Sequence, residues 1–593
     1  MAGKEKSGRG LWFARGPGSR ATWLLAGALL LTAAVYVQSA AFDFTYDDFA
    51  QIVYNPRVHS WKAAPANFTS HVWAQTGGLA LYYRPVFMLW LTANYALFGL
   101  QPAFWHLAAI AIHLLACLLF YFFAWRLTEN RWVAVVTVLL FGLHPAHVEA
   151  VAWVAGVTES LLAVLVFGSL LCYLKHRDSG KPGMTGSLAC SLLLAFLAVL
   201  AKETALIFPG LIFSYEWAFH SSGDSLKRRL WSAIRAALPY IPVSLAFLVM
   251  RAIALKRVVP PHTVVDLGPV LLAWPEAIVF YIGHLLFPWH LSVFYNPLLV
   301  ARPGLGNFIL PLMVASASAG ALYYGARRSR VFAFLALWCG ILLLPMLNVT
   351  LLNNLENVHD RYLYLPSAAY CLILAMLLSR LRELRGTGSA AAVLVLISGT
   401  YIYLTAREQQ YWSSDYDLSR NGVAVSPGHP IALQSLGNAY IRQGRAGEAI
   451  PLLVESLESN PTDIGTFSSL GFCYSEVNAL PLADEFLTRA ISLKPSDPRA
   501  HLVLGMVRLK QSRLAEAEAE IRRGLELQKR LTPGMEELFH YHLANVLYAR
   551  GDLRAAMNEY QLELRNDPGF DPAVGLARER ISQIKKEMAA PGN

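Results

Sequence analysis

Long apolar runs separated by short charged segments fill this sequence as far as Ala406 and constrain its fold most strongly. A run of about 20 apolar residues is long enough to cross a lipid bilayer as an α-helix, and only helices and closed barrels satisfy their backbone hydrogen bonds there. Only 15% of the 593 residues are charged, whereas soluble domains carry about a quarter. The sequence therefore predicts an all-α fold that begins with a polytopic transmembrane helical bundle.

Eleven of these runs have the length and apolarity expected of spans. They lie at 21–40, 102–125, 132–149, 158–174, 188–201, 204–219, 236–250, 308–325, 331–347, 362–379 and 390–406. The run 271–288 contains Pro275, Glu276 and His284, and ionisable residues inside a membrane are costly. We therefore interpret it as interfacial or re-entrant. The shorter run 85–99 fits a helix lying along the membrane surface.

The distribution of lysine and arginine predicts the orientation in the membrane. Cytoplasmic loops are enriched in these residues, and most of those in the loops fall on the same side as the basic segment 1–20. This segment is thus expected in the cytoplasm and 41–101 becomes the first outer loop. An odd number of spans places the carboxyl terminus outside. We expect a bacterial inner membrane with this terminus in the periplasm, the alternative being the endoplasmic reticulum membrane and its lumen.

The sequence after residue 430 becomes polar and repeats with a period of 34 residues. Leu436-Gly437 recurs as Leu470-Gly471 and Leu504-Gly505. This period and its phased small residues are typical of tetratricopeptide repeats, helix pairs that stack into a superhelix with a concave binding face. We therefore predict a transmembrane domain at 21–406, a linker at 407–429 and a repeat domain at 430–585.

The net charge of +10 does not indicate nucleic-acid binding, because the basic residues are scattered in short clusters between apolar runs. The six cysteines show neither paired nor metal-ligand spacing. No nucleic acid, disulfide framework or metal centre is therefore expected. No cofactor is expected either, and a divalent ion stays an open question.

Two adjacent acids, Asp47 and Asp48, follow the first apolar run directly and lie among aromatic residues. A carboxylate at the mouth of a membrane domain can act as a general base towards a lipid-borne substrate. The alternative is a turn or helix cap, positions that aspartate favours.

More polar residues recur on the same predicted side of the membrane. They are Arg84, His144, His147, Glu149, Glu159, Lys202, Glu203, His359 and Arg361. Because isolated ions are costly within a bilayer, we expect these residues to share a water-filled outer cavity. His144 and His147 would form a weak metal pair or a helix cap. Lys202 and Glu203 would pair with each other or bind phosphate. Together with the acid pair, the cations indicate a phosphate-bearing lipid substrate.

Several short motifs occur together in a particular order. They are Tyr46-Asp47-Asp48, Tyr83-Arg84-Pro85, His144-Pro145 with His147 and Glu149, Lys202-Glu203-Thr204, and Arg361-Tyr362-Leu363-Tyr364. Their order and spacing resemble the membrane O-mannosyltransferases with C-terminal tetratricopeptide repeats, within the C-type glycosyltransferase superfamily. The resemblance covers nearly the whole chain. It departs at Gly156-Val157-Thr158-Glu159, where an arginine is expected before the small and acidic residues.

The resemblance implies transfer of a sugar, mannose, from a polyprenyl-phosphate donor to serine or threonine hydroxyls of a protein, with inversion at the anomeric carbon. Carried over to this chain, Asp47 or Asp48 would be the base. Arg84, Lys202 and Arg361 would contact the donor phosphate, and the tetratricopeptide repeats would bind the acceptor protein. The departure at 156–159 leaves one phosphate contact, and so the sugar, open.

Two other functions are alternatives to this one. An oligosaccharide ligase or polymerase would use a lipid-pyrophosphate donor, and its key basic residues would lie in one large late loop, whereas the polar motifs here begin in the first loop. A non-enzymatic scaffold that presents the repeats would need a single span. Numerous spans with ionisable motifs between them therefore favour an enzyme.

Overall fold

The structure, a computed structural model, describes residues 19–74, 82–181, 183–219, 225–256, 267–347, 358–531, 537–566 and 572–589. Most of the basic segment predicted at 1–20 lies outside these residues. The described part is built from α-helices and short helical turns, with no strand, as the sequence predicted. The backbone packs as two units: the first ends at Leu418, and the second contains the chain from Ser419 onwards together with Trp73 and Ala74.

Fifteen α-helices precede the boundary region. They are α1 Ser19–Tyr36, α2 Pro85–Phe98, α3 Pro102–Thr128, α4 Arg131–Gly142, α5 Val148–Val151, α6 Thr158–Asp178, α7 Gly186–Ala201, α8 Phe208–Phe219, α9 Leu226–Ala237, α10 Ile241–Leu255, α11 Leu267–Leu286, α12 Leu310–Ala326, α13 Arg330–Leu343, α14 Pro366–Arg385 and α15 Thr387–Gln410.

Seven helical segments of the described chain are long and apolar enough to cross a membrane. They are Arg20–Ala41, Pro102–Thr128, Ala155–Asp178, Leu226–Leu255, Gly268–Leu286, Leu305–Ala326 and Thr387–Ser413. An eighth arises if Arg131–Gly142 and Pro145–Val151, which meet at 59°, form one bent span. The chain is thus a multi-pass membrane protein.

The prediction of eleven spans was wrong. The runs 188–201, 204–219 and 331–347 form the helices α7, α8 and α13, which have 16, 12 and 14 residues. At 1.5 Å per residue these helices are shorter than the hydrocarbon core. The run 362–379 belongs to α14, whose last turns carry Arg382 and Arg385. The run 271–288, by contrast, lies in α11, which qualifies as a span despite Pro275.

Polar side chains hold several helices of the first unit together. Asn130 caps α4 by accepting hydrogen bonds from the backbone of Trp132 and Val133. The Ser169 hydroxyl donates to the Ser191 carbonyl at 2.7 Å, and the Ser191 hydroxyl donates to the Ser169 carbonyl at 2.8 Å. Reciprocal bonds of this kind join α6 to α7 where hydrophobic association is weak in lipid.

The segment 407–429 contains the end of α15 and a further helix, α16 Asp415–Val425. Four helix pairs follow: α17 Pro430–Arg442 with α18 Ala446–Ser459, α19 Ile464–Glu476 with α20 Leu480–Leu493, α21 Pro498–Lys510 with α22 Leu514–Leu531, and α23 Glu537–Ala549 with α24 Leu553–Asn566. The last helix is α25 Pro572–Ala589.

The phased glycines of the repeats lie where the two helices of each pair touch. A Cβ atom added to Gly437, Gly471 or Gly505 would come under 3.0 Å from a leucine or isoleucine of the partner helix. Any side chain there would force the pair apart and disturb close packing. This explains why the small residue recurs with the repeat and confirms the predicted fold of this region.

Candidate active site

The two acids of the first outer loop have different surroundings. Asp48 is fully buried, and its Oδ1 and Oδ2 accept hydrogen bonds from the backbone amides of Ala155 at 2.8 Å and Thr45 at 3.3 Å. Burial raises the pKa of Asp48 to about 8. Asp47 is only half-buried and accepts a long hydrogen bond, 3.4 Å, from the Gln51 amide. Asp48 therefore anchors the loop, and Asp47 is the more exposed of the two acids.

Each cation predicted to bind phosphate is paired with a carboxylate. Arg84 binds Glu203 through two hydrogen bonds, Nε to Oε2 at 2.9 Å and Nη2 to Oε1 at 2.5 Å. Lys202 pairs with Glu159. Arg361 pairs with Glu149, and its backbone amide donates to the same carboxylate at 2.9 Å. Lys202 and Glu203, although adjacent in sequence, thus have different partners.

The three ion pairs differ in exposure. The side chains of Lys202 and Glu159 are 3% and 5% exposed, whereas those of Arg84 and Glu203 are 17% and 27% exposed. Burial lowers the pKa of Lys202, an effect that the negative charge of Glu159 opposes. Burial alone would raise the pKa of Glu203, but the guanidinium of Arg84 more than offsets it and the pKa is lowered. The Arg84 pair is charged and reachable, and the Lys202 pair is enclosed.

Aromatic rings connect the cations with the acidic loop. The Tyr362 ring lies 5.3 Å from the Lys202 ammonium and 5.3 Å from the Arg361 guanidinium. Arg361 also lies 5.6 Å from the Trp153 ring, whose edge contacts Tyr46 at 5.7 Å between centroids. Because Tyr46 precedes Asp47 and Ala155 holds Asp48, one continuous set of contacts joins the acids to the cations. We define these residues, with Arg84 and Glu203, as the acid–cation site.

The predicted histidines lie mostly elsewhere. His144 and His147 are fully buried; His144 accepts from the Ala146 amide at 3.3 Å, the capping arrangement, and His147 bonds Ser367 at 2.7 Å. His359 packs against Tyr362, with 5.2 Å between ring centroids. Within the described ranges, no three histidine, cysteine, aspartate or glutamate side chains are placed to hold a metal ion.

Two acids near the acid–cation site are not among the predicted site residues. Asp360 is buried and accepts hydrogen bonds from the Tyr295 hydroxyl at 2.6 Å and the Ser292 amide at 3.1 Å. Burial raises the pKa of Asp360 to about 6. Asp415 accepts a hydrogen bond from the backbone amide of Tyr46 at 2.7 Å. Asp360 was detectable as the neighbour of Arg361, whereas nothing in the sequence marks Asp415.

An apolar groove begins beside this site. Its polar lining comes from Glu159, Thr204 and Tyr362, and its walls are formed by Leu162, Val166, Ala205, Ile207, Phe208, Leu211, Leu342, Leu365 and Pro366. These residues belong largely to α6, α8, α13 and α14. The space between these residues is partly open to the surroundings. Its chemistry suits a hydrocarbon chain that carries a polar group at the end near Tyr362.

Sequence comparison finds relatives along most of the chain. Protein O-mannosyl-transferase TMTC1 of Homo sapiens is 27% identical over 511 residues, which cover 76% of this chain and 56% of the relative. Protein O-mannosyl-transferase TMTC3 of Homo sapiens is 22% identical, covering 89% and 61%. Tmtc3 of Drosophila melanogaster is 24% identical, covering 70% and 52%. The chain thus spans less than two thirds of the length of these relatives.

Among solved structures, the Archaeoglobus fulgidus oligosaccharyltransferase tethered with an acceptor peptide is 14% identical, with a TM-score of 0.39 over 74% of this chain and 59% of that one. A tetratricopeptide-repeat protein of Thermus thermophilus is 19% identical, with a TM-score of 0.26 over 31% and 95%. These scores are too low to support any argument.

Family profiles described as tetratricopeptide repeat match residues 431–463 and 478–536. These ranges fall on the helix pairs that carry the phased glycines. The resemblance inferred from the sequence motifs is thereby confirmed. The chain is a relative of the protein O-mannosyl-transferases and carries tetratricopeptide repeats in its carboxyl-terminal part.

Proposed function

We propose that this protein is an inverting membrane glycosyltransferase of the C type that moves mannose from a polyprenyl-phosphate donor to serine or threonine hydroxyls of a protein. The observation that carries the proposal is the acid–cation site: an approachable carboxylate, Asp47, joined by contacts to Arg361 and Lys202 beside an apolar groove. The names of the relatives support the reaction type.

Asp47 serves as the general base in this reaction. A serine or threonine hydroxyl is a weak nucleophile, so a carboxylate within hydrogen-bond reach must take its proton during attack on the anomeric carbon. Asp48 is less suited to act as the base, because both of its oxygens already accept hydrogen bonds from backbone amides. Attack from the face opposite the phosphate inverts the anomeric centre.

The cations stabilise the departing phosphate. As the glycosidic bond breaks, negative charge develops on the prenyl phosphate, and fixed cations in a water-poor site offset it. Arg84 donates to Glu203 through Nε and Nη2, and within the described residues its Nη1 donates no hydrogen bond. That edge of the guanidinium can bind a phosphate oxygen while Glu203 stays in place. Arg361 supplies a second accessible cation, and Lys202 acts mainly by fixing Tyr362 and Glu159.

The groove next to Tyr362 takes the first isoprene units of the donor. Apolar side chains form its walls, so the hydrocarbon chain finds there an environment as apolar as the bilayer it leaves, and packing against the walls holds it in place. The charged end of the donor then lies at the cations. We propose no resident metal or other cofactor for this step.

Transfer with defined donors tests the proposal. The purified full chain is given polyprenyl-phosphate mannose and a peptide with one threonine, and mass spectrometry should show one added hexose that is absent from the alanine peptide. Asp47→Asn should abolish most transfer. The matched control is Asp43→Asn, because Asp43 is an exposed acid of the same loop. Activity only with a pyrophosphate-linked donor, or full activity of Asp47→Asn, would refute the assignment.

We further propose that the tetratricopeptide repeats recruit an extended segment of the acceptor protein, since stacked helix pairs form a concave surface. Cutting the chain after Ser426 removes α17 to α25 and keeps α16. The shortened protein should still glycosylate a short peptide and should lose most turnover of a full-length acceptor. Equal loss on both acceptors would contradict the recruitment role.

The repeats are proposed to lie on the outer side, in the bacterial periplasm or, alternatively, in the lumen of the endoplasmic reticulum. The excess of basic residues in inner loops supports the cytoplasmic amino terminus. A phosphatase fused after Asn593 should be active, and a cytoplasmic reporter should be silent; the opposite pattern would place the repeats inside.

A further inference from the structure

The backbone immediately before Asp47 has an unusual conformation. Tyr46 has a φ of +57°, in the left-handed region. A side chain with a Cβ atom rarely adopts that region because the Cβ approaches the carbonyl oxygen. Such a conformation persists only where the surrounding structure fixes it, and it is frequent at functional sites. Tyr46 directly precedes the proposed base.

Three distant segments hold Tyr46 in place. Its backbone amide donates to Oδ1 of Asp415 at 2.7 Å, across 369 positions of sequence. Its ring meets the edges of Trp153 and Phe294, each with 5.7 Å between centroids. Hydrogen bonds to an ionised acceptor are about twice as strong as neutral ones. Asp415 therefore restrains this backbone directly.

We infer that Asp415 is a positioning residue that fixes the strained backbone of Tyr46 and so aims Asp47 at the acceptor hydroxyl. The inference rests on the proposed role of Asp47 as the base. Asp47 lies between two fixed points, since Asp415 holds the residue before it and the Ala155 amide holds Asp48 after it. Asp415 itself contacts no substrate and transfers no proton.

The position of a base matters as well as its presence. Reacting atoms must approach to within about 3–3.5 Å, and a displacement of about 1 Å costs roughly a hundredfold in rate. With its amide released, Tyr46 can relax to an ordinary backbone conformation, which turns the next residue away. Loss of Asp415 should therefore lower kcat and leave donor binding nearly unchanged.

A helix-capping role is the simpler alternative, because Asp415 is the first residue of α16 and acids stabilise helix amino termini. Asp417 provides the matched control within the same turn. Its Oδ2 accepts hydrogen bonds from Ser414 at 2.8 Å and Ser413 at 3.2 Å. Asp417→Ala removes a helix-start interaction of the same kind and leaves the bond from Asp415 to Tyr46 intact.

The experiment compares four variants of the full chain in transfer assays. Asp415→Ala should lower kcat by about ten- to a hundredfold, with the KM for the donor within about twofold of wild type. Asp415→Asn keeps an oxygen acceptor and should lose less than about fivefold. Asp415→Glu, which moves the carboxylate by one methylene, should lose several-fold more than Asp415→Asn. Asp417→Ala should stay near wild type.

Hydrogen–deuterium exchange gives a readout that does not depend on transfer. Peptides covering 44–50 should exchange about tenfold faster or more in Asp415→Ala than in Asp417→Ala, with the repeats unchanged. If Asp415→Ala cannot be purified in folded form, Asp415→Glu is compared with Asp415→Asn in both assays. A larger loss of kcat and faster exchange in Asp415→Glu would then support the inference, and equal values would contradict it.

Wild-type kcat in Asp415→Ala, an equal loss in Asp417→Ala, or unchanged exchange at 44–50 would overturn the inference. If the wild type transfers no sugar, or Asp47→Asn has no effect, the proposed function fails instead, and the exchange experiment still shows whether Asp415 holds the loop.

Discussion

Arg84 and Glu203 lie 119 positions apart in sequence, yet they face each other through two hydrogen bonds of 2.9 Å and 2.5 Å. The guanidinium also stacks on Tyr82, 4.6 Å from the ring centroid. A planar group held at one edge and on one face has a fixed orientation. Glu203 therefore determines where the remaining N–H groups of Arg84 point.

The first prediction follows from this pair. Arg84→Ala should raise the KM for the donor and lower kcat together, by about tenfold each, because a hydrogen-bonded charge is lost in both ground and transition states. Arg84→Lys should rescue little, since an ammonium cannot bind Glu203 and phosphate with the same fork geometry. Steady-state kinetics with a polyprenyl-phosphate donor measure both constants.

Glu203→Gln should give a smaller rise in the donor KM than Arg84→Ala, because the amide still orients the guanidinium with one hydrogen bond. The control is Arg380→Ala, which breaks an exposed ion pair with Glu383 whose side chains are 66% and 60% exposed. Exposed ion pairs contribute little to stability, so the kcat and KM of Arg380→Ala should match those of wild type. A full rescue by Arg84→Lys would show that only charge matters at this position.

The second prediction separates the two acids of the first outer loop. Asp47→Asn should reduce kcat about a hundredfold or more, as expected for a lost general base, and leave thermal stability in detergent unchanged. Asp48→Asn should instead lower the stability of the folded protein. The side-chain NH2 group of asparagine would face a backbone N–H group whose hydrogen bond Asp48 accepts. Melting temperature and kcat measured on the same preparations distinguish the two effects. Unchanged stability of Asp48→Asn would contradict its anchoring role.

The repeats could be predicted from sequence because their determinants are local and periodic. Gly437, Gly471 and Gly505 occupy the same contact in successive helix pairs, so one packing requirement appears three times at a fixed spacing. The number of spans could not be predicted in the same way. Helices such as α7, with 16 residues, are as apolar as true spans and differ only in where they end.

The polar motifs contain the six residues of the three ion pairs, but they do not indicate which residues pair, and the predicted His144 and His147 lie elsewhere. Lys202 and Glu203 are neighbours in sequence, and the local expectation was a bond between them or a shared phosphate. Lys202 instead contacts Glu159 and Glu203 contacts Arg84. Partner choice depends on the tertiary placement of three separate segments, which no spacing encodes. The contact of Asp415 with Tyr46 is hidden for the same reason.

The third prediction concerns the enclosed pair of Lys202 and Glu159. Lys202→Ala leaves a buried carboxylate without its partner and should destabilise the folded protein by about 3–5 kcal/mol. The double variant Lys202→Met with Glu159→Leu removes both charges and should be markedly less destabilised, because neither ion remains to be solvated. Unfolding in detergent at several denaturant concentrations measures the difference.

The kinetic effects of these variants separate two roles of Lys202. If Lys202 acts mainly by positioning Tyr362 and Glu159, the folded fraction of Lys202→Ala should show a lower kcat with little change in the donor KM. Wild-type stability together with a tenfold higher KM for the donor would instead assign Lys202 direct contact with the phosphate.

The last prediction concerns pH and the repeat unit. His501 is almost fully buried, and its two ring nitrogens lie 2.7 Å from Glu520 Oε2 and 3.1 Å from the Pro495 carbonyl. Both partners are acceptors, and imidazole donates from both nitrogens only when it is protonated. The hydrogen bond to Glu520 accordingly raises the pKa of His501, against the opposing effect of burial.

A raised pKa in the folded state means that the pair contributes its full stability below the ordinary histidine pKa of about 6.5. That contribution is lost as the pH rises through the folded pKa. Protection of α21 and α22 from hydrogen exchange, corrected for the intrinsic pH dependence, should therefore fall as the pH rises above about 6.5 in the full chain. His501→Gln should be less protected at low pH and nearly independent of pH. Glu448→Gln, which alters an exposed pair with Arg445, should follow wild type. If His501→Gln shows the same decline as wild type, another group controls the pH dependence of this unit.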